Sequence, residues 1–259
     1  MAIERISVGG QPWRDWGYTH LQRYLFARDH VQGRVLDAAC GTGFGSYVLA
    51  QRVAEVVGLD VSPEAISEAR QHHARPNLRF HHGVVESLPP IAGFDAAVSL
   101  ETIEHVPDPR AFLREIHARL KPGGRLVLSA PNVAQHQGAP QPTENPFHLH
   151  EPTYDELLGW LDGLFRVDEA WEQARRLALH HDSLERLGQA GARVAQLGTV
   201  RIIAAIERRL RRLVGRSLPE PHHPASQSDA MVAETVLLPL LPQRRQVAHT
   251  FLLLASRLD

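Results

Sequence analysis

Between Arg34 and Ala130 five short apolar runs alternate with stretches of helical character, and this alternation limits the fold more than any other feature of the chain. The runs are Arg34–Ala39 (RVLDAA), Glu55–Asp60 (EVVGLD), Asn77–Gly83 (NLRFHHG), Phe94–Leu100 (FDAAVSL) and Arg125–Ala130 (RLVLSA). Short apolar runs bounded by turn residues suit strands buried on both faces. Ser46–Val53 reads as a helix. Ser62 and Pro63 read as N-cap and first residue of a helix reaching about Ala74. Asp108-Pro109 opens a further helix with Phe112, Leu113, Ile116 and Leu120 on one stripe, and Gly123-Gly124 stops it. Strands alternating with helices predict an α/β fold with a doubly wound, mostly parallel sheet. Phe165–Trp171 and Thr250–Ser256 add two strands, for seven in all.

The same pattern sets the expected domains. Residues 1–33 form an N-terminal helical segment, with Leu21, Leu25 and Phe26 on one face. Residues 34–171 and 248–259 form the core, and 172–247 a helical insertion before the last strand. With 28 basic and 29 acidic residues in 259, no overall field draws the chain to nucleic acid or a membrane surface. Its single cysteine, Cys40, rules out an internal disulfide and a cysteine-built metal cage. Only Lys121 among the basic residues is a lysine, which weighs against covalent lysine catalysis. No apolar run approaches the roughly 18 residues of a membrane span, and the opening residues lack a secretory signal's apolar stretch, so a cytoplasmic protein is expected.

The first strand runs into CGTGFG, with Asp37 at its end and Gly41, Gly43 and Gly45 after it. In open α/β sheets ligands bind beyond the carboxyl ends of the strands. An acid beside the loop would repel a dinucleotide's pyrophosphate and favour a ligand carrying an ammonium group. Asp60, ending the second strand, is placed to accept both hydroxyls of a ribose. An adenosine joined to an amino acid, such as S-adenosylmethionine, meets both demands. The spacing also departs from the GxGxxG of dinucleotide-binding domains.

The blocks VLDAACGTGFG, VVGLDVSPEAISEAR, FDAAVSLETIEHVPDP and LKPGGRLVLSAPN resemble, in order and spacing, the class I S-adenosylmethionine-dependent methyltransferases over residues 34–132. The resemblance implies Asp37, Ala38, Gly41 and Gly43 around the methionine part, Asp60 on the ribose and Val61 against the adenine. Val84, Val85 and Leu100 complete the expected cofactor contacts. Relatives carry an acidic or polar residue where this chain has Val84, so adenine recognition falls to the Val85 backbone, Glu86 or stacking.

Past the fourth strand stands Glu101-Thr-Ile-Glu104-His105. In a helical turn, Glu101, Glu104 and His105 would share a face. Crowded carboxylates beside an imidazole suit Mg²⁺, Mn²⁺, Fe²⁺ or Zn²⁺, with a fourth ligand from NPFHLHE at 145–151. E-x-x-E-H followed by a later histidine resembles the quinone-biosynthesis O-methyltransferases and the small-RNA 3′-terminal 2′-O-methyltransferases. That resemblance favours His148 over His150 as the later ligand. Two other readings stay open: a metal-free site with His105 or His148 as base, and a purely structural role. The paired histidines His72/His73, His81/His82 and His222/His223 read as solvated surface.

HLQRYLFA and NPFHLHEPT resemble bacterial methyltransferases of saccharide and natural-product pathways more than the RNA branch. In such enzymes the N-terminal helix closes over the cofactor, and the segment before the last strand shapes the acceptor pocket. The expectation is therefore an O-methyltransferase acting on a hydroxyl of a sugar or secondary metabolite, with catalytic Glu104, His105 and His148. Trp13, Trp16 and Tyr18 would line the pocket, and residues 172–247 would cover it. An RNA-terminal enzyme, a quinone-type enzyme and a non-catalytic cofactor-binding module are the alternatives. The Arg-rich stretch 201–216 reads as an amphipathic helix with a basic face. A homodimer is one assembly open to the chain, and its oligomeric state is not written in the sequence.

Overall fold

Alternation within the central strands feeds two separate cores, one on each face of the sheet. In the computed structural model, which describes residues 11–83, 93–132, 147–175, 235–240 and 250–259, strand β1 (Arg34–Ala38) turns Leu36 and Ala38 to one face and Val35 to the other. The first face packs on α4 (Pro109–Arg119) and α5 (Tyr154–Leu161) through Phe112, Ile116 and Leu157. The second packs on α1 (Gln11–His30), α2 (Phe44–Leu49) and α3 (Pro63–His72) through Leu21, Tyr24, Leu49 and Ile66.

The remaining strands are β2 (Glu55–Asp60), β3 (Leu78–His82), β4 (Phe94–Leu100), β5 (Leu120–Pro131), β6 (Phe165–Arg175), β7 (Thr235–Pro239) and β8 (Thr250–Arg257). Their order is β3-β2-β1-β4-β5-β8-β6-β7. Pairing is parallel from β3 through β5 and antiparallel at β5/β8, β8/β6 and β6/β7. The order reverses between β1 and β4, so a crevice opens at their carboxyl ends. Two residues there other than glycine take left-handed backbone, Ala39 (φ 63°) and Glu101 (φ 50°).

The sheet has eight strands where the sequence predicts seven. The added strand, β7, lies within the predicted helical insertion and pairs with a β6 that runs past Trp171. The Arg-rich stretch and the rest of the insertion lie outside the described residues, as do Val84, Val85, Glu86, His222 and His223. Strand β5 also starts at Leu120, so Gly123-Gly124 belongs to a strand and not to a helix stop. Helix α2 spans Phe44–Leu49 and not Ser46–Val53, whereas the starts of α3, α4 and α5 follow the sequence. Ser62 Oγ accepts from the Ala65 N–H, Asp108 from Ala111, and Thr153 and Glu156 form a reciprocal capping box.

Candidate active site

Three glycines follow β1, and they do different work. A Cβ on Gly43 would stand 2.6 Å from Phe80, and one on Gly45 2.0 Å from the Tyr24 ring, so both serve packing. A Cβ on Gly41, at φ +55°, would meet nothing within 4 Å. Of the three, Gly41 has open space where a side chain would stand. The loop is held from β2: Asp60 accepts from the Gly41 N–H at 2.8 Å and, through its other oxygen, from the Ser62 N–H at 2.9 Å. Each carboxylate oxygen keeps a further lone pair for a ligand hydroxyl. Val61 beside it is 43% exposed, an apolar surface open beyond the strand end. Leu100 is buried at the end of β4, and Ala38 is buried at the end of β1.

Asp37 lies behind the loop. It follows Val35 on the face covered by α1 and α2, and its carboxyl is sealed there, 0% exposed. Tyr24 donates to one oxygen at 3.2 Å and Ser46 to the other at 2.5 Å. Burial pushes the carboxyl up to about 7. It ties Tyr24 of α1 and Ser46 of α2 together behind the loop.

The acid–histidine cluster forms beyond β4 with one member changed. Residues Ile103–His105 make a single 3-10 turn, and Glu101 lies before it with left-handed backbone. The expected shared helical face is therefore absent. Glu101 instead takes the Ser129 hydroxyl at 2.8 Å and pairs with Arg23 of α1 at 3.5 Å. Among the described residues, Glu104, His105 and His148 bring one ligand atom each within 4.8 Å of one another. Glu104 is 1% exposed, and its Oε1 lies 3.9 Å from His105 Nε2. The segment bearing His148 is fixed by the Leu149 and His150 N–H groups, both donating to the Glu104 carbonyl.

Each histidine is oriented through its other nitrogen. His105 Nδ1 bonds the Phe147 carbonyl at 2.9 Å, and His148 Nδ1 bonds the Glu151 carboxylate. A carbonyl or carboxylate partner requires a donor, so the neutral rings carry N–H on Nδ1 and a lone pair on Nε2. That is the arrangement of metal-ligating histidines. His150 is turned to the Pro107 carbonyl, outside the cluster. Arg23, Tyr24 and Ser129 escaped the sequence reading, and Glu151, within the segment offered for the fourth ligand, serves His148 instead. Arg23 had no signal, because its partners are distant in sequence.

Of the paired histidines, His72, His81 and His82 are exposed, whereas His73 is half-buried and burial lowers it to about 4. Trp13, Trp16 and Tyr18 lie on α1, in the stretch whose side chains are outside the described ones.

A strand-order reversal, a glycine loop open at one position and an acid on the second strand define a Rossmann-like cofactor fold of the methyltransferase type. Solved structures agree on the fold. The chain is similar to the YcgJ protein of Bacillus subtilis, with a TM-score of 0.55 at 19% identity over 92% of this chain and 98% of that one. It is also similar to a putative methyltransferase of Haloferax volcanii seen with its Trm112 activator, with a TM-score of 0.58 at 20% identity over 96% and 93%. The [4+2]-cyclase SpnF has the fold too, with a TM-score of 0.56, so the fold alone does not name the reaction.

Residues 36–128 match the methyltransferase-domain family. A probable S-adenosylmethionine-dependent methyltransferase of Mycolicibacterium smegmatis is 33% identical over 161 residues, 61% of this chain and 62% of that protein. A ubiquinone biosynthesis O-methyltransferase of Xanthomonas oryzae is 40% identical over 114 residues, 42% and 48% respectively. The matches thus span between about half and three fifths of these curated relatives.

Proposed function

We propose that the chain is an S-adenosylmethionine-dependent O-methyltransferase that acts on a small-molecule hydroxyl with a divalent cation held by Glu104, His105 and His148. The observation that carries the reading is the buried Glu104 carboxylate with His105 and His148 beside it, one ligand atom from each within 4.8 Å of the others. The empty space at Gly41, the ready lone pairs of Asp60 and the exposed Val61 fit the cofactor's backbone-facing, ribose and adenine parts in turn. Leu100 and Ala38, buried at the ends of β4 and β1, stay assigned to the cofactor by resemblance. Val84 and Val85 stay assigned to the adenine by resemblance only.

The bound sulfonium supplies an activated methyl group, and a cation at the triad would lower the acceptor hydroxyl's pKa. The chain's own residues have the tasks of position and proton transfer. Asp60 holds the loop through Gly41 while offering its outer lone pairs. The Phe147 carbonyl fixes the His105 ring so that Nε2, and not Nδ1, faces the cluster. As the acceptor oxygen forms its bond to the methyl carbon and the carbon–sulfur bond breaks, the hydroxyl proton must leave. In the metal-free reading His105 Nε2 takes it, with Glu104 at 3.9 Å stabilising the resulting imidazolium; with a cation held by the triad, the proton would pass to solvent.

A phenolic acceptor gains support over a sugar hydroxyl from two sources. Phe147 and Leu149, on the segment carrying His148, are exposed apolar side chains. The Xanthomonas relative is a ubiquinone biosynthesis O-methyltransferase. Near balance of charge speaks against RNA as acceptor. No described helix is long and apolar enough to cross a membrane.

The test is transfer of labelled methyl to panels of catechols, sugars and RNA ends, before and after chelation. We expect labelled catechol, loss of label on chelation, and recovery with added Mn²⁺ or Zn²⁺. Undiminished transfer after exhaustive chelation would sink the metal reading, and label found only on amines would sink O-methylation.

A further inference from the structure

Arg23 is a buried guanidinium, 5% exposed, that fastens α1 across the carboxyl end of the sheet. Its Nε donates to Gln173 Oε1 at 2.7 Å and its Nη2 to Thr250 Oγ1 at 3.4 Å. Its Nη1 has no hydrogen bond among the described residues and stands 3.5 Å from Glu101 Oε2. Glu101 is thus the counter-charge of a cation sealed from water. Its other oxygen takes the Ser129 hydroxyl, and that hydroxyl also accepts from the Glu101 N–H at 3.0 Å.

Glu101 is three residues from Glu104, yet it stands apart from the cluster. A divalent cation there would attract a neighbouring carboxylate. Moving Glu101 to it, however, would strand the Arg23 charge in a buried site, which is strongly disfavoured. We propose that Arg23 is a positioning residue that withholds Glu101 from the cluster. The cation then has three protein ligands, and its other positions stay open to acceptor oxygens, the layout of a catalytic rather than a structural metal site. This inference rests on the metal reading of Glu104, His105 and His148.

The consequence has opposite signs for binding and access. Neutralising Arg23 frees Glu101 to become a fourth ligand, so the metal binds more tightly while the acceptor loses a position. A merely structural Arg23 would weaken metal binding when removed.

The experiment is Mn²⁺ titration by calorimetry, with electron paramagnetic resonance as a second readout, on the full chain without cofactor or acceptor. Wild type, R23Q, R23K, E101Q and R23Q/E101Q are compared. We expect E101Q and R23K to match wild type, R23Q to bind about tenfold more tightly, a change of the size that outer-shell partners exert, and the double variant to return to the wild-type value. Equal or weaker binding by R23Q overturns the proposal, as does loss of binding in E101Q, which would make Glu101 a resident ligand. Wild type that takes up no Mn²⁺ sinks the metal reading itself; wild type that binds alongside an unchanged R23Q sinks only the role of Arg23. Should R23Q fail to fold, X-ray absorption of zinc-loaded wild type and E101Q decides the matter. Superimposable first shells support withholding, and a lost oxygen ligand in E101Q overturns it.

Discussion

At the residue scale, Asp37 is the clearest case of a group whose type was legible and whose direction was not. An acid at the end of the first strand is plain in VLDAAC, and strand alternation alone places it on the Val35 face. What covers that face is α1, through Tyr24, a contact no local pattern announces. Burial raises the native carboxyl to about 7, above its ordinary 3.8, so the native state binds this proton more tightly than the unfolded chain does. The associated stability is fully present below the unfolded value and is lost as pH climbs through about 7. Asp37→Asn, which cannot ionise, should therefore gain on wild type between pH 5 and pH 8, by at most about 4 kcal/mol for a shift of this size. Melting temperatures across that range check it, and a gap that stays flat with pH refutes the burial argument. The neighbouring glycines separate in the same way. Gly43→Ala should lower the melting temperature through its clash with Phe80, while Gly41→Ala should cost only about 1–2 kcal/mol in backbone strain yet weaken cofactor binding. Calorimetric titration with S-adenosylhomocysteine, beside a melting curve, distinguishes them. Equal effects of the two variants on both readouts would contradict the division of roles.

At the scale of elements, starts of helices were readable because they are settled within four residues. Ser62, Asp108 and Thr153 each accept a backbone N–H three positions on, as their sequence contexts predict. Thr153→Ala removes the hydroxyl half of the capping box of α5, leaving the backbone N–H of residue 153 on Glu156, and should cost about 1 kcal/mol, read as a lower midpoint in urea with unchanged slope. An unaltered midpoint would mean that packing of Leu157 and Leu161 alone holds the helix. The stretch after β4 was misread for the opposite reason. Its composition suits a helical turn, but a left-handed residue at Glu101 redirects the chain, and the turn that follows is only three residues long. The i, i+3, i+4 rule then links Glu104 to nothing upstream. His148 completes the cluster instead through backbone bonds to the Glu104 carbonyl, a tertiary contact. Strand β7 was missed because a five-residue apolar run, TVLLP, carries no periodicity that separates strand from helix. Only its pairing with β6 decides it.

At the scale of the molecule, the two parts of the site rest on different halves of one sheet. Gly41, Asp60 and Val61 follow β1 and β2, whereas Glu104, His105 and His148 follow β4 and β5. The crevice where strand order reverses joins them, so each ligand can stabilise the fold without borrowing the other's residues. A ligand that binds only the native state at about 100 times its dissociation constant adds about 2.7 kcal/mol, worth roughly 5–10 °C in a chain of this size. S-adenosylhomocysteine and Mn²⁺ should each raise the melting temperature, and together by close to the sum. Glu104→Gln should abolish the Mn²⁺ increment and leave that of S-adenosylhomocysteine, while Asp60→Ala should do the reverse. The cross terms are the strict part of this expectation. If Asp60→Ala erased the Mn²⁺ increment, or Glu104→Gln that of S-adenosylhomocysteine, the two sites would share one set of supports. The division between the halves of the sheet would then fail as an account of how the fold builds them.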